Sequence, residues 1–98
     1  MSAPLIWPID SSTDAAVTVG ATTTEVLAEN DNRMDAALVN DSDEVMYLAR
    51  GNDAVLNQGI RLNANGGSYN IDSTNLYKGA INAICASGGK NICVIEGV

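Results

Sequence analysis

The chain has no histidine and no phenylalanine among its 98 residues. Without histidine, the usual general base near neutral pH and the commonest metal ligand are both missing. A serine nucleophile would then need a lysine partner, and neither Lys78 nor Lys90 sits in a recognisable motif. The glycine pairs Gly66-Gly67 and Gly88-Gly89 lie between strand-like runs rather than before a helix, so no phosphate-cradling loop is present. These absences leave no support for an enzyme active site and imply no cofactor. Two cysteines, Cys85 and Cys93, are too few for a disulfide framework. The five basic residues, Arg33, Arg50, Arg61, Lys78 and Lys90, are scattered singly in a chain of net charge −7. Binding to nucleic acid needs a clustered basic face, so that class is rejected. No run approaches the ~20 apolar residues of a membrane-spanning helix. The N-terminus also lacks the basic and apolar regions of a signal peptide, which implies synthesis in a cytoplasm.

What is present is small and β-branched. Apolar residues make up 46% of the chain, with one Trp and three Tyr, so Ala, Val and Gly do much of the filling. Such side chains bury little area each, at about 25 cal/mol per Å², and association is one remedy for a thin core. Turn-forming Gly, Asn, Asp and Ser recur every eight to twelve residues. This is the rhythm of an all-β sandwich or barrel. The runs at 15–19, 23–28, 33–39, 45–50, 60–62, 69–71, 80–86 and 91–95 predict about eight short antiparallel strands. Runs 33–39 and 45–50 read as a central hairpin around Asn40-Asp-Ser-Asp-Glu44. Their imperfect alternation implies cover on both faces, or packing against a neighbouring subunit. Runs 60–62 and 69–71 alternate as half-exposed strands around a tight turn at Asn65-Gly66-Gly67. The last two runs read as a hairpin closed by Ser87-Gly-Gly-Lys90. That hairpin would bring Cys85 and Cys93 across from each other, either near disulfide distance or as two small buried hydrophobes.

Residues 1–12 read as an extended N-terminal arm and 13–98 as the β-sandwich domain. Pro4 and Pro8 hold their neighbours extended. Leu5, Ile6, Trp7 and Ile9 are the candidate interface residues, either folded back on their own sheet or docked on another chain. Two acidic stretches, Asp41/Asp43/Glu44 and Glu29/Asp31/Asn32, offer the hard oxygens that suit Ca²⁺ but lack EF-hand spacing; they read as plain turns. Of the aromatics Trp7, Tyr47, Tyr69 and Tyr77, Tyr69 alone lies in an alternating strand with an outward face on which a sugar could stack.

The ordered set Val17-Thr-Val-Gly20, Glu25-Val-Leu-Ala28, Asn32-Arg33, Leu38-Val-Asn-Asp-Ser-Asp43, Tyr47-Leu48, Gly59-Ile-Arg-Leu62, Gly66-Gly-Ser-Tyr69, Gly79-Ala-Ile-Asn-Ala-Ile84 and Ala86-Ser-Gly-Gly-Lys90 resembles a small β-domain of tailed-bacteriophage virion structural proteins. The resemblance covers about eighty residues. It implies a head-decoration, cement or fibre-base type of protein that binds the major capsid protein lattice on the capsid exterior, assembled as a homo-oligomer with a trimer favoured. Longer members continue into a fibre or spike after the position of Val98, so decoration or cementing is the expected role. A receptor- or glycan-binding module of a phage tail or fibre is the alternative.

Overall fold

The computed structural model describes residues 8–98, and it is all-β. Eight strands follow in order: β1 (Ser12–Val19), β2 (Thr24–Leu27), β3 (Asp35–Asn40), β4 (Met46–Arg50), β5 (Ile60–Leu62), β6 (Ser68–Ile71), β7 (Ile81–Cys85) and β8 (Lys90–Gly97). All pairings are antiparallel and fall into two four-stranded sheets. Sheet A has the order β1-β8-β3-β6 and sheet B the order β2-β7-β4-β5. This strand order is that of a jelly roll, the eight-stranded double-sheet architecture of two Greek keys.

Period-two alternation builds the core. Strand β3 buries Ala36, Leu38 and Asn40 while Asp35, Ala37 and Val39 face the other way. Strand β8 turns Ile92 and Val94 inward, and sheet B answers with Met46, Leu48, Ile81, Ala83 and Cys85, so the two inner faces meet in one continuous core. The β-branched and small residues that dominate these runs suit a pleated, half-buried surface.

The hairpins expected from the turn signals do not form. Strands β3 and β4 lie in different sheets, and so do β5 with β6 and β7 with β8. The glycine- and asparagine-rich segments do reverse the chain, but each carries it across the sandwich. At the last connection Gly88 and Gly89 both take positive φ, 74° and 69°. A Cβ on Gly88 would come within 2.9 Å of the Ala21 backbone nitrogen, so this crossing packs against the β1–β2 connection. The β3–β4 and β5–β6 connections are likewise tied together: Asn40 N–H donates to Gly67 O at 2.8 Å, and Gly66 N–H donates to Asn40 O at 2.8 Å.

Among the described residues, two fully buried side chains are polar. Arg33 is 0% exposed and donates from Nε to Glu96 Oε2 at 2.7 Å, from Nη1 to the carbonyls of Tyr77 (2.6 Å) and Gly79 (3.0 Å), and from Nη2 to Ala28 O at 2.6 Å. It fastens the β2–β3 and β6–β7 connections to the end of β8. Asn40, also fully buried, donates from Nδ2 to Glu44 O (2.8 Å) and Leu62 O (3.1 Å) and accepts from Ser42 Oγ at 2.7 Å. It performs the same fastening at the opposite end of the sandwich.

Candidate interaction face

The outer faces of the two sheets differ. On sheet B, Ala49 and Ile84 point outward yet are buried, because the β4–β5 connection folds over them and seats Ala54 between them, with Tyr47 alongside. This roof is pinned at three points. Asn82 Nδ2 donates to Asn52 O at 2.8 Å, Ala54 N–H to Thr23 Oγ1 at 2.9 Å, and the Tyr47 hydroxyl to Asn57 Oδ1 at 3.0 Å. The double cover expected for the 45–50 run is therefore supplied by the chain itself.

Sheet A has no such roof among the described residues. Its register places Ala16, Cys93, Val39 and Ser68 in one outward row and Asp14, Ile95, Ala37 and Asn70 in the next. Ile95 is 47% exposed at the centre of this surface, with Ala16 exposed and Ala37, Val39 and Cys93 half-buried. The rim is acidic. Asp14 and Asp35 face outward from β1 and β3, and Asp41 joins them just past β3, its Oδ2 accepting from Asn91 Nδ2 at 3.3 Å. No lysine or arginine occupies an outward position on these four strands.

The end of this face meets the N-terminal segment. Of the candidate interface residues, Leu5, Ile6 and Trp7 lie outside the described residues, and Ile9 lies within them. Asp10 and Ser11 donate to Val98 O at 2.7 and 3.2 Å, Val98 N–H donates to Ser11 O at 2.9 Å, and Ser12 opens β1. Just before them, Ile9 sits over Gly97: a Cβ at that glycine would be 2.9 Å from Ile9 Cγ2. Gly97 is an outward position of β8, so Ile9, itself 38% exposed, extends the apolar surface of sheet A.

The remaining candidates from the sequence take other places. Cys85 and Cys93 are both free and are not opposed: Cys85 is buried on the inner face of sheet B, and Cys93 is on the outer face of sheet A. The crossing at Gly88-Gly89 separates them. Burial pushes the Cys85 thiol above its ordinary value, and Sγ lies 3.5 Å from Val19 O. In native protein a thiol reagent should therefore label Cys93 and spare Cys85, and both should react after denaturation without reductant. Denatured protein with no free thiols would overturn this assignment.

In the Asp41/Asp43/Glu44 stretch each carboxylate has its own protein donor. Asp43 pairs with Lys90 at 2.7 Å, and Glu44 Oε1 accepts the Ser87 N–H at 2.6 Å. These bonds hold the Asp43 and Glu44 carboxyls below their ordinary values, and the Asp43 contact raises Lys90. Among the described residues no group of three His, Cys, Asp or Glu converges as metal ligands would. Tyr69 corrects the expectation of an outward sugar platform, since it pairs with the inward Leu38 and packs against the core. Tyr77 packs there too, with the Arg50 guanidinium 5.8 Å from its ring centroid.

A cleft of about 450 Å³ lies between the β4–β5 connection and its flanking strands. Its ionisable lining residues are Arg50 and Asp53, with no serine, threonine, cysteine or lysine beside them. No family model, curated protein or solved structure matches the chain.

The buried arginine had no readable signal in the sequence, whereas the cover over sheet B had one in the imperfect alternation of the 45–50 run. The apolar outer positions of sheet A had one too, in the imperfect alternation of the 33–39 run.

Proposed function

We propose that this chain is a non-enzymatic virion structural protein that decorates or cements the exterior of a phage capsid. The contact surface would be the outer face of sheet A together with the N-terminal arm, residues 1–12. The observation that carries this reading is the contrast between the two sheets: among the described residues, the chain covers one apolar outer face with its own loop and leaves the other uncovered. An uncovered apolar surface with a polar rim marks a site of interaction. Jelly rolls occur in viral capsid and lectin domains, which supports the reading by analogy of fold. Each copy would bury a modest area, and the repeated lattice would raise the effective concentration of neighbouring contacts. The tyrosines among the described residues form no exposed stacking platform, so the arrangement does not favour the glycan-binding alternative.

The test is co-sedimentation with empty capsids. Wild-type protein should pellet with capsids, and Ile95→Asp should weaken binding by tenfold or more while leaving the thermal midpoint nearly unchanged. Removal of residues 1–8 should weaken it further by taking away Trp7, an anchor type whose loss costs on the order of 2 kcal/mol or more. Wild-type protein that stays in the supernatant, or an Ile95→Asp variant that binds equally well, would overturn the reading. A sugar-dependent rise in melting temperature would replace it with the receptor-binding alternative.

A further inference from the structure

Among the described residues, the free edge of β1 is the least protected backbone. Four strands lie at sheet edges: β1 and β6 in sheet A, β2 and β5 in sheet B. Strands β2, β5 and β6 are only three or four residues long, and β2 is also interrupted by a register shift between Glu25 and Leu27. Strand β1 runs for eight residues, pairs with β8 without a break from Ser12 to Val19, and has seven of those residues exposed or half-buried. Edge strands are ordinarily blunted by shortness, lysine, proline or bulges. Ser12-Thr-Asp-Ala-Ala-Val-Thr-Val19 has none of these, and its one charged residue is Asp14.

The direction of its free backbone groups follows from the register. Ser11 and Val98 exchange both of their N–H···O bonds. Because such pairs alternate along an antiparallel ladder, Thr13, Ala15, Val17 and Val19 bond to β8. The N–H and C=O groups of Ser12, Asp14, Ala16 and Thr18 point away from the sheet.

We infer that this edge pairs with β1 of a second copy of the chain, antiparallel and about a two-fold axis through Ala16, joining two copies of sheet A into one eight-stranded sheet. The self-pairing is constrained. Outward residues must oppose outward residues, so even-numbered positions must face even-numbered positions. A two-fold axis at Asp14 would bring two carboxylates face to face. An axis at Ala15 would leave the two Asp14 side chains only two positions apart. With the axis at Ala16, Asp14 faces the partner's Thr18, whose hydroxyl can donate to the carboxylate. The two Asp14 residues then lie roughly 13 Å apart at ~3.3 Å per residue, beyond a Debye length of about 8 Å at physiological salt. Three residue pairs in this register form about six main-chain hydrogen bonds. The uncovered outer faces of the two copies become one continuous surface. This inference stands independently of the capsid reading.

Sedimentation velocity at micromolar concentration tests it. Wild-type protein should be a dimer. Ala16→Pro removes an N–H that makes no bond to β8, and Ala16→Lys sets two like charges opposite each other. Either variant should raise the dimer dissociation constant at least tenfold while the circular dichroism spectrum stays β-type, and the lysine variant decides if the proline variant does not fold. In a Cys93→Ser background, Ala16→Cys should yield a covalent dimer on mild oxidation, since directly opposed residues of this kind lie about 5.5 Å apart between Cα atoms, within disulfide range. A monomeric wild type, a trimer, or a dimer that survives both substitutions would overturn the inference. A monomer that still pellets with capsids would leave the capsid reading intact.

Discussion

Arg33→Ala should cost about 3–5 kcal/mol of stability, the range found when one partner of a buried ion pair is removed. Urea unfolding would show it as a large drop in midpoint at constant slope. The guanidinium is fully buried and makes four hydrogen bonds, one to the Glu96 carboxylate, itself 16% exposed, and three to backbone carbonyls of two connections. Its loss leaves the carboxylate without its cation and three acceptors without a donor. Arg33→Lys should recover little, because an ammonium group cannot reproduce the flat fork that spans these directions. The double variant Arg33→Met/Glu96→Leu should be more stable than Arg33→Met alone, since replacing both members of a buried pair is far milder than stranding one. A loss below about 1 kcal/mol for Arg33→Ala, the size of an exposed pair, would show that this network is not what holds that end together.

Asn40→Ala should be the second large loss, about 1–3 kcal/mol, chiefly from the buried Leu62 carbonyl losing its side-chain donor, since Glu44 O keeps the Ser42 hydroxyl. The Nδ2 group bonds to Glu44 O and Leu62 O, so one side chain sets the distance between the β3–β4 connection and the end of β5. Asn40→Asp keeps the shape and reverses the chemistry, turning a donor into a charged acceptor facing two carbonyl oxygens. The ionised form is disfavoured in the folded state, so the carboxyl at position 40 should titrate higher folded than unfolded. The folded state then binds the proton more tightly, and the destabilisation should be greatest at neutral pH and shrink on acidification. Unfolding curves for Asn40→Asp between neutral and mildly acid pH, taken relative to wild type, check the sign. A penalty independent of pH would mean that the side chain had swung out of the core.

The strands themselves were legible. Every expected run contains or overlaps a strand of the structure, because β-branched alternation and turn residues act locally. The pairing of those strands was not. Asn40-Asp-Ser-Asp-Glu44 and Ser87-Gly-Gly-Lys90 announce a change of direction, but whether the chain re-enters the same sheet depends on contacts with distant segments, such as Asn40 with Leu62 or Gly88 with Ala21. For the same reason Arg33 read as one scattered cation among five, when three of its four partners lie 44 to 63 residues further along the chain. On the candidate face, Ile9 and the small residues around Ile95 carried a signal of surface association. The contrast that gives the face its meaning, a roof on one sheet only among the described residues, comes from a loop whose short apolar run, Ala54-Val55-Leu56, does not by itself say which face it will cover.

The position of β8 bears on how the molecule is made. It lies inside sheet A, between β1 and β3, and it follows the seven other described strands in sequence. Strand β1 therefore waits for a partner that leaves the ribosome only after the six strands between them have been synthesised, and at roughly 5–20 residues per second that wait is several seconds. Pairings so distant in sequence are slow to close, and throughout the delay both edges of β1 are open. A nascent or C-terminally shortened chain would thus expose an unguarded strand to its neighbours on the polysome, so faithful assembly depends on the final eight residues of the sandwich arriving before another copy does.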